Sequence, residues 1–187
     1  LLAGKVPVLA ASDLYLNEHR EYGLSTYSKH SDGSGVAISS RLRPILNMRP
    51  KYRHWLSPSL WQLNADLHLT DWLEEKKIDF DVVTDEDLHL EGVELLNRYK
   101  CVLTGSHPEY SSEKMLAAYE QYQLNGGRWI YLGSDGFYWI SEYHPDNPNI
   151  IEVRKGEAGT RAWTANPGEY NNAFDGKYGG MWRARGR

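Results

Sequence analysis

Cysteine is nearly absent: Cys101 is the single one among 187 residues. An intrachain disulfide and a cysteine-cage zinc site are both excluded, because each needs more than one thiolate. No apolar run approaches the roughly 20 residues of a membrane span. The opening stretch, LLAGKVPVLAASD, lacks the basic-then-apolar layout of a secretory leader. Neither sign of charge dominates. The 21 basic and 25 acidic residues leave a net of -4, which argues against a general nucleic-acid or membrane-surface binder. Internal repeats and low-complexity tracts are missing as well. Phenylalanine is scarce at 3 residues, against 13 tyrosines and 7 tryptophans. The aromatic complement is therefore biased toward rings with a polar handle, which pack at wet, half-buried surfaces or act as ligands.

What is present describes a soluble, cytoplasmic domain. With 41% hydrophobic and 25% charged residues, the chain is long enough to bury a core. The lack of an initiator Met and the Gly/Arg-rich ending MWRARGR suggest a piece of a longer polypeptide. Residues 1–150 are expected to form an α/β catalytic domain, and 151–187 its Gly- and aromatic-rich continuation.

Patterning along the chain predicts alternating strands and helices. KVPVLAA (5–11) reads as a strand, 13–35 as an irregular loop, and 36–54 as extended chain broken by Pro44 and Pro50. Ser57 and Pro58 suit an N-cap and first helical position, with apolar residues at helical spacing through Lys77. FDVVT (80–84), CVLT (101–104) and WIYL (129–132) read as strands. Residues 85–99 read as a loop and a short helix around 93–98. A helix is expected after Ser111/Ser112, ending at Gly126–Gly127. This order implies βαβ units and a mostly parallel sheet flanked by helices.

In such sheets ligands bind beyond the carboxyl ends of the strands. Three loops qualify: the one holding Tyr15 and His19 after strand 5–11, Gly105 to Tyr110, and Gly133 to Trp139. Cys101 sits at the wrong end of its strand for a nucleophile and reads as a core thiol. Ser106 has an elbow position, but GSHPEY departs from G-x-S-x-G and Pro108 crowds the turn. His107 and Glu109, two apart in an extended loop, face the same way and can reach one metal. The same pair equally suits the start of the following helix. Arg41, Arg43, Arg49 and Arg53 form a basic cluster that reads as a solvated face or a partner contact.

Taken together, LSTYSKHSDGSG, SSRLRPILNMRPKY, DFDVVTDEDLHLEG, LTGSHPEYSSEKML, GGRWIYLGSDGFYW and EVRKGEAGTRAW resemble the large (beta) subunit of N,N-dimethylformamidase. The resemblance covers nearly the whole chain. It implies an α/β catalytic domain of class I glutamine amidotransferase-like (flavodoxin-like) architecture. It further implies a metal-dependent amide hydrolase with one iron, as Fe3+, held by two tyrosines and a glutamate. Tyr15, Tyr27 and Glu109 are the implied metal ligands. His107 lies close by, and Asp135 near the substrate, where the family's pattern has Asn. Phenolate and carboxylate oxygens suit Fe(III). Tyr138 and Trp139 would either wall an apolar pocket or pack in the core. The implied partners are a small alpha subunit, further copies of the large subunit and a small amide substrate. Two other readings stand beside this one: a non-catalytic amidotransferase-like binding or assembly module, and a serine hydrolase acting through Ser106.

Overall fold

The computed structural model describes residues 11–53, 59–155 and 169–186. The chain divides into two units, Leu1–Tyr22 with Arg43–Val82, and Gly23–Leu42 with Val83–Arg187.

In the first unit, helix α1 spans Ala11–Glu18 and a 3-10 turn follows at Arg20–Tyr22. The sequence predicts a loop here. The segment is helical, and Asp13 in its first turn complements the helix dipole. The expected strand at 5–11 lies outside the described residues except for Ala11, which is helical. A second 3-10 turn, Leu46–Met48, precedes helix α2, Leu63–Glu75. That helix begins later than the sequence suggests. Leu60 is engaged in a bridge with Arg53, and the chain turns into the helix through Gln62 at φ 49°. Ser57 and Pro58 lie outside the described residues. Asn47 ties the entry down, donating to Gln62 Oε1 at 2.7 Å while its carbonyl accepts from Asn64 at 3.2 Å.

The second unit carries the sheets. Strand β1 is Ile38–Ser40. The predicted strand at 80–84 does not form. Val82 stays 74% exposed, and the Thr84 hydroxyl is committed to a helix start. Its oxygen accepts the Asp87 N–H at 3.1 Å, and the Asp87 carboxylate accepts the Thr84 N–H at 2.9 Å. This reciprocal cap opens helix α3, Asp85–Glu91, in a stretch expected to hold a loop. Gly92, at φ 64°, separates it from the short α4, Val93–Leu96. Strand β2 (Cys101–Leu103), β3 (Tyr110–Ser111), helix α5 (Glu113–Leu124) and β4 (Arg128–Ile130) come next. Ser112 caps α5 as its sequence predicts, accepting the Met115 N–H at 3.3 Å. Strands β5 (Trp139–Ile140), β6 (Glu142–His144) and β7 (Asn147–Glu152) follow, then a 3-10 turn at Trp182–Arg185.

The predicted βαβ unit is present, with β2 and β4 pairing in parallel across α5. Strands β3 and β5 form a second parallel pair. Among the described residues the expected mostly parallel sheet is replaced by small sheets, parallel in part and antiparallel in part. The largest sheet, ordered β1-β7-β6, is antiparallel. The reason is local: β6 and β7 are joined by a hairpin, and a tight hairpin admits only antiparallel pairing. The result is a mixed α/β arrangement of small sheets. Strand β7 runs across position 150, so residues 151 and 152 belong to the same strand as 147–150.

Two apolar clusters hold this unit together. Leu88, Leu95, Leu96, Met115, Ala118 and Tyr122 pack α3, α4 and α5 against Val102 of β2. Truncating a leucine buried this way costs about 2–5 kcal/mol. Trp139, Val153 and Met181 form the second cluster, with Tyr110 and Tyr138 packed against it. Among the described residues no helix is long and apolar enough to cross a membrane.

Candidate active site

The loop after β2 and the loop after β4 are zipped together by their backbones. Ser134 N–H donates to the Ser106 carbonyl at 3.1 Å, and Phe137 N–H to the Pro108 carbonyl at 2.8 Å. Tyr138 and Trp139 N–H groups both donate to the Glu109 carbonyl, at 3.0 and 2.9 Å. A glycine is needed at 133, because a Cβ there would stand 2.4 Å from Pro108 Cδ. Asp135 and Phe137 both adopt left-handed backbone, at φ 51° and 53°. Such conformations in non-glycine residues store strain and cluster at functional sites.

This paired loop presents His107, Glu109 and Asp135 together. His107 Nε2 lies 3.4 Å from Ser134 Oγ. Glu109 is half-buried, and burial pushes its carboxyl above the ordinary value. Lys155 opposes that shift, Asp135 adds to it, and the Trp139 side chain donates a hydrogen bond to the carboxylate. Trp139 is 2% exposed and belongs to the core cluster, so packing is its role, while Tyr138 is half-buried.

Tyr27 joins the same place from the stretch before β1. Its hydroxyl is hydrogen-bonded to the hydroxyl of Tyr110, the residue after Glu109. Burial pushes the Tyr110 phenol well up, and the neighbouring Tyr27 and Glu109 push it further. Beneath both rings lies Lys155. Its ammonium donates to Tyr110 Oη at 2.7 Å and stands 3.1 Å from the Tyr27 ring centroid. Burial lowers its pKa to about 7, against an upward pull from Glu109. Sequence reasoning does not single out Lys155 or Tyr110. Tyr110 is adjacent to a predicted ligand and could have been weighed with it. Lys155 lies 45 positions from its partner Tyr110 in a Gly-rich tail, with no local signal.

Tyr15 belongs to the first unit. It is half-exposed on α1, its ring stacks on His19 at 4.0 Å, and its hydroxyl is 3.5 Å from that of Tyr22. The Tyr22 neighbour raises its phenol above the ordinary value. Arg41, in the second unit, pairs with Glu86 at 2.6 Å, while Arg49 in the first pairs with Asp13 at 3.6 Å.

Among the described residues no three His, Cys, Asp or Glu side chains gather where a metal could sit. Phenol oxygens lie outside that set of residue types. Tyr27 Oη, bonded to Tyr110, and the half-buried carboxylate of the adjacent Glu109 are the donors this part of the chain offers. These are hard oxygen donors, and a cation would offset the cost that burial imposes on the Glu109 anion.

Comparison with known proteins gives a consistent picture. The sequence profile described as "N,N-dimethylformamidase beta subunit-like, C-terminal" matches residues 12–187. Two curated relatives, each called N,N-dimethylformamidase beta subunit, come from Alcaligenes sp and Paracoccus aminophilus. Each is 50% identical over all 187 residues of this chain. The chain spans about a quarter (24%) of their length.

Proposed function

The chain belongs to the N,N-dimethylformamidase beta subunit-like, C-terminal family, and from that premise we propose that it supplies the catalytic part of an amidohydrolase. The reaction is hydrolysis of small N-substituted amides, such as dimethylformamide, to a carboxylate and an amine. The enzyme works with one iron and in a multi-subunit assembly that includes a small alpha subunit and further large subunits. The family's subunit name supports the assembly, since a beta subunit has partners. The observation that supports the reading is the Tyr27 hydroxyl on Tyr110, the neighbour of Glu109, with His107 on the same zipped loop.

Tyr27 and Glu109, both in the second unit, would hold the iron. Bound there, Fe(III) supplies Lewis acidity toward a carbonyl and lowers the pKa of a bound water. The protein's own residues do the rest. His107, on the same loop as Glu109, would carry a proton to the leaving amine nitrogen. Ser134, 3.4 Å from Nε2, orients that ring. Asp135, exposed on the paired loop, would favour substrates or products with N–H groups. The double loop, fixed by four backbone bonds, keeps His107 and Glu109 in register without rearrangement during the reaction.

The test uses the full-length protein. Metal analysis should find iron, the solution should show a tyrosinate-to-iron colour, and dimethylformamide should release dimethylamine. Glu109→Ala should lose colour, iron and amine release together. Iron-free, colourless protein that still releases amine would overturn the iron. No amine release and an unaltered melting point on adding Fe(III) would favour the binding or assembly module.

A further inference from the structure

Lys155 has no part in the chemistry above, yet it is one of the most deeply buried side chains, at 2% exposure. Burying an ammonium is costly unless its donors are used. Here the group meets no carboxylate at bonding distance among the described ion pairs. It donates to Tyr110 Oη at 2.7 Å and sits against three aromatic faces, Tyr27 at 3.1 Å, Tyr110 at 4.8 Å and Trp139 at 6.0 Å.

The asymmetry lies in Tyr27. Tyr110 and Trp139 are held by the β3–β5 pairing and the core. Tyr27 is 59% exposed and comes from an irregular segment. An exposed tyrosine has two soft torsions, and packing does little to fix them. The Tyr110 hydroxyl at its tip and the Lys155 ammonium on its face both hold this ring. Both run through Lys155, since the Tyr110 hydroxyl is itself held by that ammonium. A methionine of similar length would fill the same space without desolvating a charge, so packing alone gives no reason for a lysine.

We infer that Lys155 is a positioning residue that sets the orientation of the Tyr27 phenol, through its bond to Tyr110 and its seat on the Tyr27 ring. The inference rests on the reading of Tyr27 as a metal-facing residue, and the experiment separates the two.

In the full-length protein loaded with Fe(III), Lys155→Met should shift the tyrosinate-to-iron absorption band and weaken it per iron bound. With dimethylformamide, kcat should fall about tenfold while KM changes little, the loss expected for one desolvated cation–π contact. Lys155→Arg, which keeps a donor and a cation, should recover much of kcat and the band. An unchanged band and kcat in Lys155→Met overturn the inference. A second measurement needs neither a Lys155 variant nor iron. In metal-free protein, Tyr27→Phe keeps the ring face and Tyr27→Leu removes it. Because this ring is largely exposed, the apolar area lost is small, and the difference in melting point reads the ammonium's seat. Tyr27→Leu should melt several degrees below Tyr27→Phe. Equal melting points overturn the inference. If the wild-type protein carries no iron, the proposed function fails, and this pair of variants still decides the role of Lys155.

Discussion

The second unit holds two carboxylates that differ in how fully they are satisfied. Glu152, at the end of β7, is entirely buried. It accepts from Arg154 Nε and Nη2, both at 2.7 Å, and from the backbone N–H groups of Ala173 at 2.8 Å and Phe174 at 3.1 Å. Its bonding capacity is filled by the protein, and it staples the C-terminal turn to the largest sheet. Glu109 is half-buried, accepts from the Trp139 side chain, and has its carboxyl pushed upward by burial. A carboxylate with every lone pair engaged builds structure. One that the fold desolvates but leaves with spare capacity has room to accept a further donor or cation, as the proposed metal role of Glu109 requires. The contrast separates scaffold from site better than burial alone.

Breaking the first member of that comparison should have the largest effect. Glu152→Ala strands the Arg154 guanidinium and two backbone donors, and should cost about 3–5 kcal/mol in urea unfolding. A loss below about 1 kcal/mol would show that the staple is dispensable.

A buried neutral group extends the comparison from anions to bases. His89 is buried, and its pKa falls to about 4, mainly through desolvation, with Lys114 adding to it. Ser112 explains the neutral form. Its oxygen accepts from Met115 N–H, so its proton is free to go to His89 Nδ1 at 2.8 Å. The folded pKa lies below the unfolded value, so the unfolded state binds the extra proton first. Stability is complete above about pH 6.5 and is lost as pH falls toward 4, by about 3 kcal/mol in total. Melting curves from pH 7 to 4 should show this drop, and His89→Gln should flatten it. An unchanged slope in that variant would assign the acid sensitivity elsewhere.

The register of the site comes third. Gly133→Ala puts a Cβ 2.4 Å from Pro108 Cδ and 3.0 Å from two backbone oxygens. The zipped loops must part, which should cost about 1–3 kcal/mol and lower amine release more than stability predicts. Normal activity with lowered stability would mean that the loops need not stay in register. The smallest stability effect belongs to Glu109. In metal-free protein Glu109→Gln should stay within about 1 kcal/mol of wild type or gain slightly, because it removes a desolvated charge. Iron binding should vanish. A large loss of stability would place Glu109 with Glu152 as scaffold and end the comparison.

Features set by neighbouring residues were legible in the sequence. Ser112 as a cap, Gly126–Gly127 as a helix end, the β2 and β4 strands, and the approach of the two strand-end loops all follow from local chemistry. Features set by distant partners were not. FDVVT has the composition of a strand, but a strand requires a neighbour to pair with, and Thr84 is drawn into the next helix. The α2 start moved because Leu60 found a bridge to Arg53. Lys155 became visible only when folding brought residues 27, 110 and 155 together. Of the candidate residues, the two-residue spacing offered His107 and Glu109 either as metal-facing or as the start of the following helix, and Tyr27 came from the family resemblance.

Strand β3 is only two residues long, and its two side chains look in opposite directions. Tyr110 meets Tyr27 and Lys155. The Ser111 carbonyl accepts the Trp182 indole at 3.1 Å and the Ser141 N–H at 3.0 Å. One peptide bond therefore separates the proposed site from the interior. For selection this is a narrow corridor: a substitution in the interior near Trp182 is felt at the phenols, and new substrate preferences have to be tried out elsewhere. The exposed tip at Ser134 and Asp135 is the stretch where this protein can vary its chemistry without disturbing its frame.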